Sequence, residues 1–275
     1  MAPGAPKARS FADLRARTLA GVAMAALAAL ALGLGGWIAA AFAAACAGGM
    51  GWELRRMTAG RFDGAGWAIA AAGVAASLAT QGAFFRSGLA VAAACLIAAL
   101  LLTRRDGAWA RWATVIGGGY VAVACAGLVG LRDDPLYGWE AVLWVVLVVV
   151  ATDVGAYFAG RIIGGPKLWP RVSPSKTWAG LGGGMACATA VGAIFSSATT
   201  GTLIHEVAIV SGVMAVVSQG GDLAESSLKR RAGVKDSSNL IPGHGGLLDR
   251  MDGLMAAALV AAILTFLRGK SVFIW

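Results

Sequence analysis

The chain reads as an all-α, polytopic integral membrane protein with about nine transmembrane helices, its N-terminus cytoplasmic and its C-terminus outside. Three observations predict this. Of its 275 residues 58% are hydrophobic and 13% charged, with a mean hydropathy of +0.73; a soluble domain is about half apolar and about a quarter charged. Stretches approaching the roughly 20 apolar residues that cross a bilayer core recur along the whole length. The 23 Lys and Arg residues fall mainly in alternate connections, as the positive-inside rule expects.

The first seventeen residues are polar and basic, with Lys7, Arg9, Arg15 and Arg17. The apolar run after them is long and further spans follow, so it reads as a first anchor rather than a cleavable signal. Spans are expected near 18–35, 36–54, 66–83, 87–103, 112–131, 139–160, 177–198, 203–221 and 253–268. Gly33, Gly35 and Gly36 demand a tight turn between the first two. The last span is short and leaves little room for tilt.

With the N-terminus inside, nineteen Lys/Arg residues lie on inside segments, and only Arg86, Arg132, Arg268 and Lys270 lie outside. Residues 1–135 form a helical scaffold with oligomer contacts. Residues 136–275 form a catalytic region holding the two long polar connections, 161–176 and 222–252, both cytoplasmic. Function is sought there.

Small residues crowd two spans, at Gly117–Gly119 and Gly180–Gly184. They read as surfaces for close helix packing, because a nucleotide-binding glycine loop would need a preceding strand. Cys46, Cys95, Cys125 and Cys187 stand singly in apolar runs, with neither a metal knuckle nor a disulfide framework. The net charge is +9, yet no basic run interleaves with aromatics, which excludes nucleic acid as a partner.

Polar residues inside the apolar stretches carry the chemistry. Asp153 lies roughly 12 Å into the sixth span, counting back from Arg161. An ionised Asp there costs about 2.5–3.5 kcal/mol, so it either makes a packing hydrogen bond or forms the polar wall of a cavity. The run from Ser173 through Pro174, Ser175, Lys176 and Thr177 precedes the seventh helix. Ser175 or Thr177 could cap that helix while Lys176 reaches a phosphate; a cap plus an inside lysine explains the run equally well.

The densest charge lies between Asp222 and Gly253, with five acidic residues, five basic residues and His244. Asp222 and Glu225 share one helix face, as do Asp249 and Asp252 at the start of the ninth helix. Carboxylates converging from two helices suit Mg²⁺, which takes one or two of them, waters and substrate phosphates. Lys229, Arg230, Arg231 and Lys235 supply the countercharge that a triphosphate needs. Gly243, Gly245 and Gly246 admit backbone close to a ligand. Taken singly, each of these charges also fits a solvated ion pair.

The order Ser226-x-Leu228-Lys229-Arg230, four residues, then Lys235-Asp236-x-Ser238-x-x-Ile241-Pro242-x-His244-Gly245-Gly246-Leu247-x-Asp249-Arg250-Met251-Asp252 resembles the signature of phosphatidate cytidylyltransferases, with no departure. Ser173 to Gly180 and Asp153-x-x-Ala156-Tyr157 also resemble that family. The N-terminal half matches it only in hydropathy and basic loops.

The resemblance implies that CTP and phosphatidic acid give CDP-diacylglycerol and pyrophosphate. It further implies a Mg²⁺ cofactor, a homodimer, and a place in the bacterial cytoplasmic (inner) membrane. It carries the metal role to Asp222, Asp249 and Asp252, and catalysis to Asp222, Asp249, Lys229 and His244. Substrate binding falls to Asp153, Ser173, Lys176, Ser226, Arg230, Lys235, Asp236, Gly245, Gly246 and Arg250. Two alternatives remain in view: a transporter coupled through Asp153, and another CTP-using lipid enzyme.

Overall fold

The computed structural model describes residues 11–81, 85–241 and 243–274; Lys7, Arg9, the side chains of Arg15 and Arg17, and Pro242 lie outside these. Nine α-helices are present among them: α1 (Phe11–Leu34), α2 (Gly36–Ala59), α3 (Gly64–Ala79), α4 (Phe85–Leu102), α5 (Ala108–Arg132), α6 (Gly138–Ile162), α7 (Trp178–Thr199), α8 (Ile204–Arg231) and α9 (Leu248–Arg268). Seven are long and apolar enough to cross a membrane, while α3 and the apolar part of α1 are shorter. Large apolar side chains such as Leu27, Ile194, Ile209 and Phe266 stay exposed, as lipid contact allows.

The turn between α1 and α2 is made by Gly35 and Gly36, with φ of 67° and 52°. Only glycine enters that region freely. α3 begins at Asp63, whose carboxylate accepts hydrogen bonds from the Ala65 and Gly66 amides. The same carboxylate takes Arg55 Nε at 2.9 Å and Nη2 at 2.7 Å. Arg55 is fully buried in α2 and also pairs with Asp106 at 2.8 Å. Hydrogen bonds from Arg55 and Arg61 hold the Asp63 carboxyl well below the usual carboxylate range, against the opposing pull of burial.

Two regions depart from expectation. α8 continues to Arg231, and α9 begins at Leu248, so the long polar connection narrows from 222–252 to 232–247. The helical period persists past 221 because Leu228 still packs on the core and Lys229 pairs with Glu225 one turn back. The helix stops where Gly233 takes a φ of 73°. The 161–176 connection is not a plain loop either. It holds an antiparallel hairpin, β1 (Lys167–Trp169) and β2 (Ser173–Thr177). Val172 N donates to Trp169 O at 3.1 Å, closing a turn in which Pro170 pre-sets φ.

The glycine-rich spans pack as expected. A Cβ on Gly184 would approach Thr152 O of α6 to 2.8 Å, and one on Gly155 would approach Gly183 O to 2.7 Å. Gly117 and Gly118 of α5 similarly seat Leu54 of α2 and Ile69 of α3. Among the described residues two large apolar cores result, beside a small alanine cluster of Ala72, Ala76, Ala92 and Ala122. One surrounds Trp144, Val145, Met214 and Phe273, and the other surrounds Met50, Leu54, Ile69 and Val129. α5 and α9 contribute to both.

Thr177 caps α7, accepting from Gly180 N at 3.0 Å. The C-terminal ends of α2, α6 and α8 and the N-terminal ends of α5, α7 and α9 gather at one end of the bundle, with the hairpin.

Candidate active site

At that end α8 and α9 lie side by side. Asp222 and Glu225 project from the last turns of α8, and Asp252 from the first turns of α9. One carboxylate oxygen from each lies within 4.8 Å of the others. Glu225 is 8% exposed, and its Oε1 is buried without a hydrogen-bond partner. Two lysines flank the group. Lys176 Nζ of β2 is 2.5 Å from Asp222 Oδ2, and Lys229 Nζ is 2.5 Å from Glu225 Oε2. Ser226 Oγ donates to Asp222 Oδ1 at 3.3 Å.

Asp249 has different company. Its Oδ1 takes Lys229 Nζ at 2.6 Å. Its Oδ2 accepts from Ser237 N at 2.9 Å, Ser237 Oγ at 2.9 Å and Gly246 N at 2.8 Å. Lys229 therefore stands between Asp249 and Glu225, and Asp249 is not one of the three carboxylates that come together.

The connection between α8 and α9 is shaped by these bonds. Ile241 N donates to Gly245 O, and His244 N donates to Ile241 O, each at 2.9 Å. Gly245 has a φ of 83°, where a side chain is strained. Gly246 lacks room, since a Cβ would come 2.5 Å from Glu53 Oε1. His244 is half-buried, with Nδ1 unpartnered, and its ring faces Gly21 of α1. Arg250 Nε donates to His244 O at 2.9 Å. Arg230 reaches Val234 O, while Lys235 and Asp236 are exposed on the loop.

Two cavities meet the carboxylates from opposite sides of α8. The more polar one, of about 330 Å³, lies between α6, α7, α8 and the hairpin, and its lining includes Asp153, Tyr157, Arg161, Lys176, Gln219 and Asp222. Asp153 Oδ1 accepts from Gln219 Nε2 at 3.1 Å, so this intramembrane carboxylate combines the packing bond with the cavity wall. Ser173 sits at the turn end of the hairpin, paired with Trp169, while Ser175, Lys176 and Thr177 supply the wall. The second cavity, about 920 Å³ and mostly apolar, runs between α5, α8 and α9. Trp109, Trp112, Ile116 and Met255 line it, with Glu225, Asp252 and Arg231 at its polar edge.

Gln219, Ser237 and Glu53 were not among the residues expected at the site. Glu53 of α2 is fully buried and accepts from Ser238 Oγ at 2.6 Å, Leu247 N at 2.8 Å and Leu248 N at 2.7 Å. It lies in the half of the chain that carries no signature. The available signal was an acidic residue inside an otherwise apolar span, which is costly without partners.

The chain matches the cytidylyltransferase family over residues 15–267. It belongs to that family. It is similar to the phosphatidate cytidylyltransferase of Brucella suis biovar 1 (strain 1330), 48% identical over 139 residues, which cover 50% of this chain and 52% of the relative. The phosphatidate cytidylyltransferase of Haemophilus influenzae is 46% identical over 142 residues, 48% of this chain and 49% of the relative. That of Bacillus subtilis (strain 168) is 37% identical over 137 residues, 50% and 51% of the two chains. The chain spans about half the length of the curated relatives it matches.

Proposed function

We propose that this protein transfers the cytidylyl group of CTP to phosphatidic acid, releasing pyrophosphate, at a Mg²⁺ site on Asp222, Glu225 and Asp252. The observation that carries this reading is the three converging carboxylates lying between a polar and an apolar cavity. A soluble nucleotide and a two-chain lipid need unlike compartments that meet at one point. Family membership and the similar proteins' names supply the reaction class.

The carboxylates fit a divalent ion. Oxygens bound at 2.0–2.1 Å lie about 3 Å apart when adjacent and about 4 Å apart across an octahedron, so a 4.8 Å group closes with small side-chain rotations. The unpartnered Glu225 Oε1 is costly to keep buried without a cation. When bound, Mg²⁺ supplies charge neutralisation for the phosphates at the reaction centre.

The residues of the chain do the rest. Lys176, at the hairpin's end and the start of α7, reaches the polar cavity and binds the triphosphate. Asp153, Tyr157 and Gln219 line the space beside it for the nucleoside. Arg231 attracts the lipid phosphate at the mouth of the apolar groove, whose tryptophans exclude water from the acyl chains. The lipid phosphate is already anionic, so it attacks the α-phosphorus without a strong base, and catalysis is positioning and charge compensation. Lys229 is held between Glu225 and Asp249, from which it can turn to the leaving pyrophosphate. His244, Ser226, Arg230, Lys235, Asp236 and Arg250 are assigned further phosphate contacts by the family resemblance; of these Ser226 touches the carboxylate group directly, through Asp222. Asp249, the further ligand that the resemblance implies, would be free to hold the ion only through Oδ1, which Lys229 occupies in this structure.

In this reading residues 136–275 are the catalytic region and residues 1–135 the scaffold, with the site at the cytoplasmic face of a bacterial inner membrane. The distribution of basic residues supports that orientation. The family resemblance supports a homodimer. The deciding experiment incubates purified protein in detergent with radiolabelled CTP and phosphatidic acid, with and without Mg²⁺. CDP-diacylglycerol that forms only with both substrates and the metal is the expected product. Its absence with every divalent ion overturns the reading.

A further inference from the structure

We infer that Glu53, on the scaffold helix α2, is a positioning residue: it fixes the N-terminus of α9 and thereby the distance from Asp252 to the α8 carboxylates. The inference rests on the divalent-metal reading above, and it concerns a residue in the half of the chain to which the signature assigns nothing.

The N-terminus of a helix leaves its first amides without intrahelical partners. The residue preceding α9, Leu247, has no side chain able to cap it, and no side-chain cap bond is made there. Glu53 provides the cap from another helix. Its Oε1 takes Leu247 N and its Oε2 takes Leu248 N, at 2.8 and 2.7 Å. Ser238 Oγ adds a third donor at 2.6 Å, and Ser237 Oγ lies 3.2 Å from Oε2. These donors and the positive end of the α9 dipole satisfy both oxygens of the buried carboxylate.

Neighbouring geometry agrees. Gly246 precedes the two capped amides, and any side chain there would strike the Glu53 carboxylate. Ser237 touches both Glu53 and Asp249, so one hydroxyl ties the two anchors together. α9 is thus held at its start by two carboxylates, one from α2 and one of its own. Asp252 lies one turn further on. A shift of the α9 start carries Asp252 with it, while Asp222 and Glu225 stay on α8. Partners that orient metal ligands without touching the metal typically change affinity by about 10–100-fold.

The test compares the full-length protein with Glu53→Gln and Ser238→Ala. Glutamine keeps the size but turns an NH₂ toward backbone N–H donors. Ser238→Ala removes one donor to Glu53 and the acceptor for Leu240 N, and leaves the two backbone cap bonds to Glu53 in place. Mn²⁺ binding is read by electron paramagnetic resonance without substrate, and melting temperature is measured alongside. The expected result is a roughly tenfold or greater weakening of Mn²⁺ binding in Glu53→Gln. The concentration of Mg²⁺ that half-activates turnover should rise in parallel, with KM for CTP at saturating metal unchanged. Ser238→Ala should move binding the same way by a few-fold, and it serves if Glu53→Gln does not fold. Mn²⁺ affinity equal to the parent's in the folded variants overturns the inference, even if melting temperature falls. Because binding is read without turnover, a parent protein that binds Mn²⁺ but makes no CDP-diacylglycerol overturns the proposed reaction and leaves the positioning role standing.

Discussion

The two acidic clusters at the working end of the bundle are built on opposite principles. Glu53 and Asp249 are saturated by amides, hydroxyls and a lysine. Asp222, Glu225 and Asp252 crowd one another, with one Glu225 oxygen buried and unpartnered. The first cluster is complete as folded and holds a loop. The second brings like groups together, offset in part by Lys176 and Lys229, and in the proposed reading it is this cluster that takes the cation. The difference teaches that carboxylates close together in one signature can have unlike surroundings: Asp249 meets hydrogen-bond donors, while Asp222, Glu225 and Asp252 meet one another.

Substitutions can break that comparison. Asp252→Asn should lower cytidylyl transfer by about a thousandfold or more, while the melting temperature holds or rises, because a like charge has been removed from a crowded site. A concurrent loss of melting temperature would move Asp252 to the anchoring cluster. Asp249→Asn should cost turnover about 10–100-fold and also destabilise the fold by about 1–3 kcal/mol, since an amide NH₂ would face amide and hydroxyl donors. Denaturant unfolding in detergent measures this, and unchanged stability would place Asp249 with the ligands alone.

Smaller effects sharpen the comparison further. Lys176→Met should raise KM for CTP about tenfold and leave KM for phosphatidic acid unchanged, since Lys176 lines the polar cavity and not the apolar groove. Equal effects on both substrates would mean that the cavities are not divided between them. The least effect belongs to a third saturated carboxylate, Asp63. Its folded pKa is depressed by Arg55 and Arg61. The stability it contributes is therefore complete above the ordinary carboxylate pKa of about 3.9 and is lost as pH falls toward the lower folded value. The difference in melting temperature between the parent and Asp63→Asn should shrink below about pH 4. A gap that persists to lower pH would mean that Asp63 acts through packing alone.

Much of the site was legible as spacing. The pairs Asp222/Glu225 and Asp249/Asp252 were expected to converge from two helices; Asp222, Glu225 and Asp252 do so once α8 and α9 are neighbours, whereas Asp249 turns to Lys229, Ser237 and Gly246 instead. Misplacing the end of α8 at 221 followed from hydropathy: a ruler for apolar length stops at the first cluster of charge, whereas the backbone continues while Leu228 and the Glu225–Lys229 pair support it. The hairpin was hidden because its strands are three and five residues long, too short for an alternating pattern to register, although Trp169-Pro170 marked its turn.

The amino-acid order by itself determined that the chain is a bundle of apolar helices, which connections are charged, and which carboxylates share a helix face. These follow from burial in lipid and from the 3.6-residue period, both of which act locally. Only the tertiary structure decided which carboxylates meet one another and which meet N–H donors. That choice depends on contacts between residues nearly two hundred positions apart, such as Glu53 with Leu248, and no local rule of hydropathy or helical period reaches across such a separation.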